Sequence, residues 1–279
     1  MRQTLKAATL QRKFPILAVE QGCIVSKFAD LTYAYRVELP EVFTIASSEY
    51  EAMQSAWVKA IKVLPNYTVV HKQDWYVNEE YKATPQSSFL SNAYESHFVG
   101  REHLRHECYI FFTKTTREHT RQQSNFSILC RGNIIPKEIN PESITLFKEQ
   151  VAQSVSIVNE SGLIKLTPLT DDEIMGTDSS AGIIEKYFSL SLSDTTTLQD
   201  MELSAEGMRV GDKHLCLHTL SNVDDMPNTI STHARYERLS TDKSECLLSF
   251  AAPVGLHLRC NHIYNQYVFI DDPKEALHN

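Results

Sequence analysis

The sequence predicts an α+β fold with a largely antiparallel or mixed sheet and packed helices, and three observations lead there. Apolar residues recur with period two in some segments and at spacings of three and four in others, so strands and helices are mixed along the chain. The two kinds of segment do not alternate in the regular order of a doubly wound parallel sheet. The 279 residues are 42% hydrophobic and 22% charged, which is ordinary for a globular protein. A chain of this length buries roughly three quarters of its unfolded surface.

The N-terminal stretch "MRQTLKAATLQRKFPILAVEQG" carries Arg2, Lys6, Arg12 and Lys13 with no acid before Glu20. It lacks the continuous apolar core of a signal peptide. Its cations are of the kind that touch an anionic membrane surface, and also of the kind many N-termini carry. In "LTYAYRVEL", Leu31, Tyr33, Tyr35, Val37 and Leu39 alternate with Thr32, Ala34, Arg36 and Glu38, a strand with one buried face. Pro40 ends it. Ser48 and Glu51 are spaced as a capping box for the next helix. Tyr50, Met53, Trp57, Ile61 and Leu64 form that helix's apolar stripe, and Pro65-Asn66 closes it.

"YTVVHKQDWYV" reads as a strand. "SFLSNAYESHF" reads as a short helix with Phe89, Leu90, Ala93, Tyr94 and His97 on one side. "CYIFF", Cys108 to Phe112, suits a central strand. The segment Arg131 to Asn140 is polar and is the best internal boundary, separating an α+β subdomain over 1–135 from a second over 136–279. One continuous domain fits the pattern nearly as well.

After that boundary Asn140 caps a helix, Pro141 takes its first position and Glu142 faces the positive dipole end. Ile144, Phe147, Val151, Val155 and Val158 are its stripe, and Gly162 its stop. "LIKLTPL" follows as a strand, Thr170 starts a short helix that Gly176 ends, and "AGIIEKYFSLS" is helical. Gly211-Asp212 is the best hairpin turn in the chain, with "HLCLHTL" leaving it. "ECLLSFAA" and "HIYNQYVFI" are late strands. In "FIDDPKEALHN", Asp272, Pro273 and Glu275 open a helix, and Lys274 to Asn279 are expected to be frayed or loosely helical. That pattern is expected of a chain leading into a further domain.

The net charge is −8, which argues against a whole surface built for nucleic acid. Six cysteines, Cys23, Cys108, Cys130, Cys216, Cys246 and Cys260, show no Cys-x-x-Cys pair and are expected to be free thiols. The longest uncharged apolar stretch, Leu247 to Leu256, is about half a membrane span and contains Pro253 and Gly255. The expected location is cytoplasmic, or peripheral to a membrane.

Chemistry-bearing patterns are sparse. "GTDSSAGI", Gly176 to Ile183, has one residue too many between its glycines for a P-loop, and Ile183 where lysine belongs. The same segment lacks the Gly-x-Ser-x-Gly of a nucleophile elbow. Two groups offer zinc-ligand chemistry without familiar spacing: His97, His103, His106 and Cys108, and His214, Cys216 and His218 with Cys260 and His262. Arg101 to Arg131 holds Arg101, Arg105, Lys114, Arg117, Arg121 and Arg131 against Glu102, Glu107 and Glu118. That excess is a candidate site for nucleic acid or an acidic partner, and also fits a solvated face. Asp171 and Asp172 suit a first helical turn. No catalytic, cofactor-binding or metal-binding residue can be assigned on these patterns.

Six segments together, "KFPILAVEQGCIVSK", "HKQDWYV", "SNFSILCRGNIIPKEI", "EKYFSLS", "RYERLSTDKSECLLSFAAPVG" and "CNHIYNQYVFID", resemble the N-terminal region of TraG from conjugative transposons. The resemblance runs in order along nearly the whole chain. TraG is similar to the large cytoplasmic ATPase of type IV secretion systems, which works at the inner membrane in DNA transfer and pilus assembly. In that family this region precedes a motor domain that carries the P-loop, and none of its nucleotide-binding residues has a counterpart here. The resemblance therefore implies a non-catalytic assembly and docking domain, without cofactor. Its implied partners are other subunits of a conjugation channel at the inner membrane, with self-association in the full-length protein. Direct DNA binding stays open. The alternatives are a free-standing protein- or nucleic-acid-binding module using Arg101 to Arg131, and a zinc-binding protein.

Overall fold

The protein is described by a computed structural model over residues 14–40, 45–116, 141–205, 207–219, 233–235, 245–247 and 258–272. Its centre is a seven-stranded antiparallel sheet. The strands are β1 (Ile16–Glu20), β2 (Cys23–Ser26), β3 (Leu31–Glu38), β4 (Thr68–Glu80), β5 (Glu102–Lys114), β6 (Lys165–Pro168) and β14 (His262–Ile270), in the order β1-β2-β3-β5-β4-β14. One edge of β3 is shared: its first residues pair β2 and its last pair β6. The fold is α+β and its sheet antiparallel, as the mixed periodicities predict. The boundary expected at 135/136 lies outside the described residues. Strands from both sides of it, β6 and β14 among them, join the one sheet.

Helices cover both faces. On one face lie α1 (Ser47–Val63) and α3 (Pro141–Glu160). Met53, Trp57 and Ala60 from α1, Leu64 at its C-terminal cap, and Phe147, Val151 and Val158 from α3 pack on Val37, Val70, Cys108, Ile110 and Phe112 of the sheet. The period-two residues of β3 and the period-3.6 residues of the helices meet here, each large side chain contributing about 1.5–3 kcal/mol by leaving water. On the other face α4 (Asp171–Met175) and α5 (Ile183–Ser189) bring Ile174 and Ile183 against Ala34, Trp75 and Tyr109, with Leu169 and Leu192.

Local chemistry explains the ends. The helix start expected at Ser48/Glu51 differs: α1 begins at Ser47, and Glu49 accepts from the Ala46 N–H at 2.8 Å. Glu49 is the third helical residue, the position from which a carboxylate reaches back to the cap. At α4 the expected Thr170 cap forms, with Thr170 Oγ1 accepting from Glu173 N and the Glu173 carboxylate accepting from Thr170 N. Asp171 accepts from the N–H groups of Gln21 and Gly22, tying α4 to the β1–β2 turn. The Asn159 side chain bonds both backbone groups of Leu166, which fixes the end of α3 against β6. The cap expected at Asn140 and the terminal helix after Asp272 lie outside the described residues.

The "GTDSSAGI" segment is structural. Gly176 ends α4, then β7 (Gly176–Thr177) and β8 (Ser180–Ala181) pair, and Gly182 leads into α5. A Cβ on Gly182 would lie 2.3 Å from Gly176 N and 2.5 Å from Ile174 O. These glycines allow two helix ends to meet backbone to backbone.

A smaller sheet joins β9 (Met201–Ser204), β10 (Gly207–Val210) and β11 (Lys213–Leu215) around the predicted Gly211-Asp212 turn. Lys213 Nζ donates to the carbonyls of Ser189 and Leu190 at the end of α5. "HLCLHTL" is shorter as a strand than its pattern suggests. It stops at Leu215, and Leu217 beyond its end is 82% exposed. Of "ECLLSFAA", Glu245–Leu247 is strand β13, paired with β12 (His233–Arg235), and the rest lies outside the described residues. Among the described residues no helix is long and apolar enough to cross a membrane. Cys23, Cys108, Cys216 and Cys260 are free thiols.

Candidate docking arm

β4 and β5 are thirteen residues each and pair along their whole length, from Thr68–Lys114 to Glu80–Glu102. Their neighbours stop earlier. β3 follows β5 only to Cys108, and β14 follows β4 only to Tyr76. Val77–Glu80 and Arg105–Glu102 therefore continue as a two-stranded ribbon, which at ~3.3 Å per residue reaches about 13 Å past the sheet. At its tip sits helix α2 (Phe89–Phe98).

α2 is held firmly. Ser88 Oγ accepts from Ser91 N, as an N-cap should. Asn92 exchanges two bonds with the backbone of Gln86. Glu95 accepts from Tyr81 Oη and from Thr84 N. Phe98 packs edge-on against Tyr81 and Tyr94, and the Arg101 guanidinium lies 5.4 Å from the Phe98 ring centre. Gly100, at φ +75°, turns the chain back, with its N–H on Tyr81 O.

The apolar side predicted for this helix exists, but it covers nothing among the described residues. None of its residues is buried. Phe89 is 85% exposed, Leu90 78% and Tyr94 67%, with Val99 exposed beside them. Apolar groups clustered on a fixed, protruding element mark an interaction surface.

The root of the arm is polar and buried. Lys72 and Asp74 share one face of β4, and both are essentially inaccessible to water. Lys72 Nζ donates to Asp74 Oδ2, and His106 Nε2 lies 2.9 Å from Asp74 Oδ1. Burial by itself raises the Asp74 carboxyl. The hydrogen bond from His106 and the charge of Lys72 overcome it and hold the group below the ordinary carboxylate range. The Tyr76 ring is stacked between His106 and His262, each with its centre 4.6 Å away. Farther out, Arg105 is held between Glu79 and Glu107, and Glu107 also accepts from Tyr109 Oη. This network locks β4, β5 and β14 together where the ribbon leaves the sheet. Its charged groups bond one another.

The first histidine and cysteine set does not converge. His97 bonds Arg101, His103 lies against Tyr81, His106 bonds Asp74, and Cys108 is buried behind it. Burial pushes the Cys108 thiol far up, so it is no thiolate at neutral pH. In the second set Cys216 and His218 lie beyond the end of β11, and His262 stacks on Tyr76. Among the described residues no three His, Cys, Asp or Glu side chains are placed to hold a metal ion. Of the basic stretch, Arg101 and Arg105 are engaged as above and Lys114 donates to Asn66 O. Arg117, Arg121 and Arg131 lie outside the described residues.

Two features escape sequence reading. The Lys72–Asp74 pair hides in "HKQDWYV", where two charges two apart inside an apolar strand are the signal of a shared buried face. The arm has no such signal, because its strand residues are mostly polar. A family model described as a domain of unknown function, "B. Theta Gene description" (DUF3875), matches residues 3–55, a span that includes β1, β2, β3 and the first half of α1. No curated protein matches the chain.

Proposed function

We propose that this chain is a non-catalytic assembly and docking domain of a conjugation ATPase of the type IV secretion kind, working on the cytoplasmic side of the inner membrane in DNA transfer. The observation that carries the docking half is the arm, with Phe89, Leu90 and Tyr94 presented on a helix that is capped and braced yet uncovered. A helix fixed before binding loses little entropy on docking, and exposed aromatic and aliphatic anchors are the side chains that fill a partner's groove. The conjugation half is supported by the TraG-like segments. The partner is another subunit of the channel. A nucleic-acid role finds less support, because Arg101, Arg105 and Lys114 are engaged within the chain.

The test is a mating assay with Phe89→Ser, Leu90→Ser and Tyr94→Ser combined in the parent gene. Transfer frequency should fall at least tenfold while protein level and fold are unchanged. Unchanged transfer would remove the arm from the assembly, and steady ATP turnover by the isolated chain would overturn the non-catalytic half.

A further inference from the structure

The two edges of the main sheet are built differently. β1 is five residues long, and its pairing with β2 shifts register between Ile16 and Ala18. A short, irregular edge of this kind resists further pairing. β14 at the other edge is nine residues long and pairs regularly with β4 at every position. Between His262 and Ile270 it has no Lys, Arg, Asp, Glu or Pro. Among the described residues no strand pairs its outer side. Tyr267 and Phe269 on it are 50% and 46% exposed. Nothing within the strand guards it against pairing.

We propose that the occupant of this edge is β14 of a second copy of this chain, antiparallel about a two-fold axis at Gln266. Three features favour a second copy over another strand. First, this register uses all nine residues and sets Ile263 opposite Phe269 and Tyr264 opposite Val268, two favourable aromatic–β-branched pairs, with no like charges facing anywhere along it. Second, the strand is flanked by Arg259 at its start and Asp271-Asp272 at its end. Antiparallel pairing lays Arg259 of each copy beside the two aspartates of the other, so both ends are complementary in charge. Third, Gln266 Oε1 is buried without a hydrogen-bond donor among the described residues. Gln266 also lines a cavity of about 360 Å³ with Val70, Lys72, Tyr267 and Val268. In this register the second Gln266 lies directly opposite, on the same face, and its amide N–H₂ is a donor of the right kind. A symmetric, isologous contact of this type closes on itself as a dimer.

This rests on the TraG-like reading, whose resemblance implies self-association of the full-length protein, and names a surface for it that does not use α2. Its failure would leave the mating result standing, and the reverse holds. The experiment is analytical ultracentrifugation of the purified chain across a concentration series. A single strand pair makes a small interface, so a concentration-dependent monomer–dimer equilibrium is expected. Arg259→Asp, an exposed substitution, should raise the dimer dissociation constant about tenfold, and adding Asp271→Arg should restore it. Separately, Gln266→Lys and Gln266→Glu should each be monomeric alone and dimerise when mixed, with circular dichroism showing that both are folded. A chain that is monomeric at every concentration, or a dimer indifferent to Arg259→Asp and to the mixed-charge pair, overturns the proposal.

Discussion

Helices α1 and α2 carry apolar stripes of the same kind, and the fold uses them in opposite ways. In α1, Met53, Trp57 and Ala60, with Leu64 at the cap, are closed off against α3 and the sheet. In α2, Phe89, Leu90 and Tyr94 face outward at the end of a ribbon. The same contrast separates the body of the sheet, covered on both faces, from the arm. An amphipathic pattern declares that a face needs covering, and says nothing about whether the cover comes from the same chain. The two helices also differ in what holds them. α1 is held by its core contacts, whereas α2 is held by polar side chains such as Asn92 and Glu95, which leave its apolar residues uncommitted.

The sharpest way to break the contrast is at Trp57. Trp57→Ala should lower the unfolding free energy by about 3–5 kcal/mol, read by denaturant titration. A loss no larger than that of a surface change would mean that α1 is not the core helix described here.

Acidification should separate the regions in two steps. His71 stacks on Tyr267 at 4.1 Å and bonds Asn265, and burial lowers it to about 4 from an ordinary value of 6.5. The folded state therefore binds fewer protons than the unfolded state between those values. Stability present above pH 6.5 should fall as the pH drops to 4, by roughly 3 kcal/mol at most. Asp74 is also held low, so its contribution is present above the ordinary carboxylate value near 3.8 and is lost only below it, as pH falls through the folded value. Hydrogen exchange at Val77–Glu80 should rise in this second step, when the Asp74–His106 link at the arm's root goes. Loss of arm protection already between pH 6.5 and 5 would place the control elsewhere.

The smallest effect on stability is expected at the arm's tip. Phe89→Ser with Leu90→Ser should change the unfolding free energy by no more than about 0.5 kcal/mol per site, and should reduce binding of a hydrophobic dye to the folded chain. A large loss of stability would show that α2 is covered after all.

Much of the body was legible in advance. β3 was expected over Leu31–Leu39 and runs Leu31–Glu38, and β14 matches "HIYNQYVFI" to the residue. In β14 the period follows burial, with Val268 and Ile270 on the core and Tyr267 and Phe269 exposed. β3 corrects the expectation of one buried face: Ala34, on the side opposite Val37, is buried against Trp75 and Tyr109 because helices cover both faces there. β4 and β5 were expected over about 67–77 and 108–112 and run on to Glu80 and back to Glu102. The added residues, Asn78, Glu79, Glu80, Glu102, His103 and Arg105 among them, have no apolar period to detect. They are strand because the two strands stay in antiparallel register across the ribbon. The histidine and cysteine sets failed for a related reason. Closeness along the chain says nothing about facing, and in β5 His103 lies on the opposite side from His106 and Cys108.

The sequence by itself determined the fold class, the helix starts at Thr170 and Pro141, the turn at Gly211 and the buried stripes of α1 and α3. These depend on local capping, turn chemistry and periodicity, which act within a few residues. Only the tertiary structure decided which apolar stripe was buried, how far the central hairpin projected, and that Lys72, Asp74 and His106 met beneath it. Those outcomes depend on where β3 and β14 stop alongside their longer neighbours, a relation between residues far apart in the chain that no local pattern encodes.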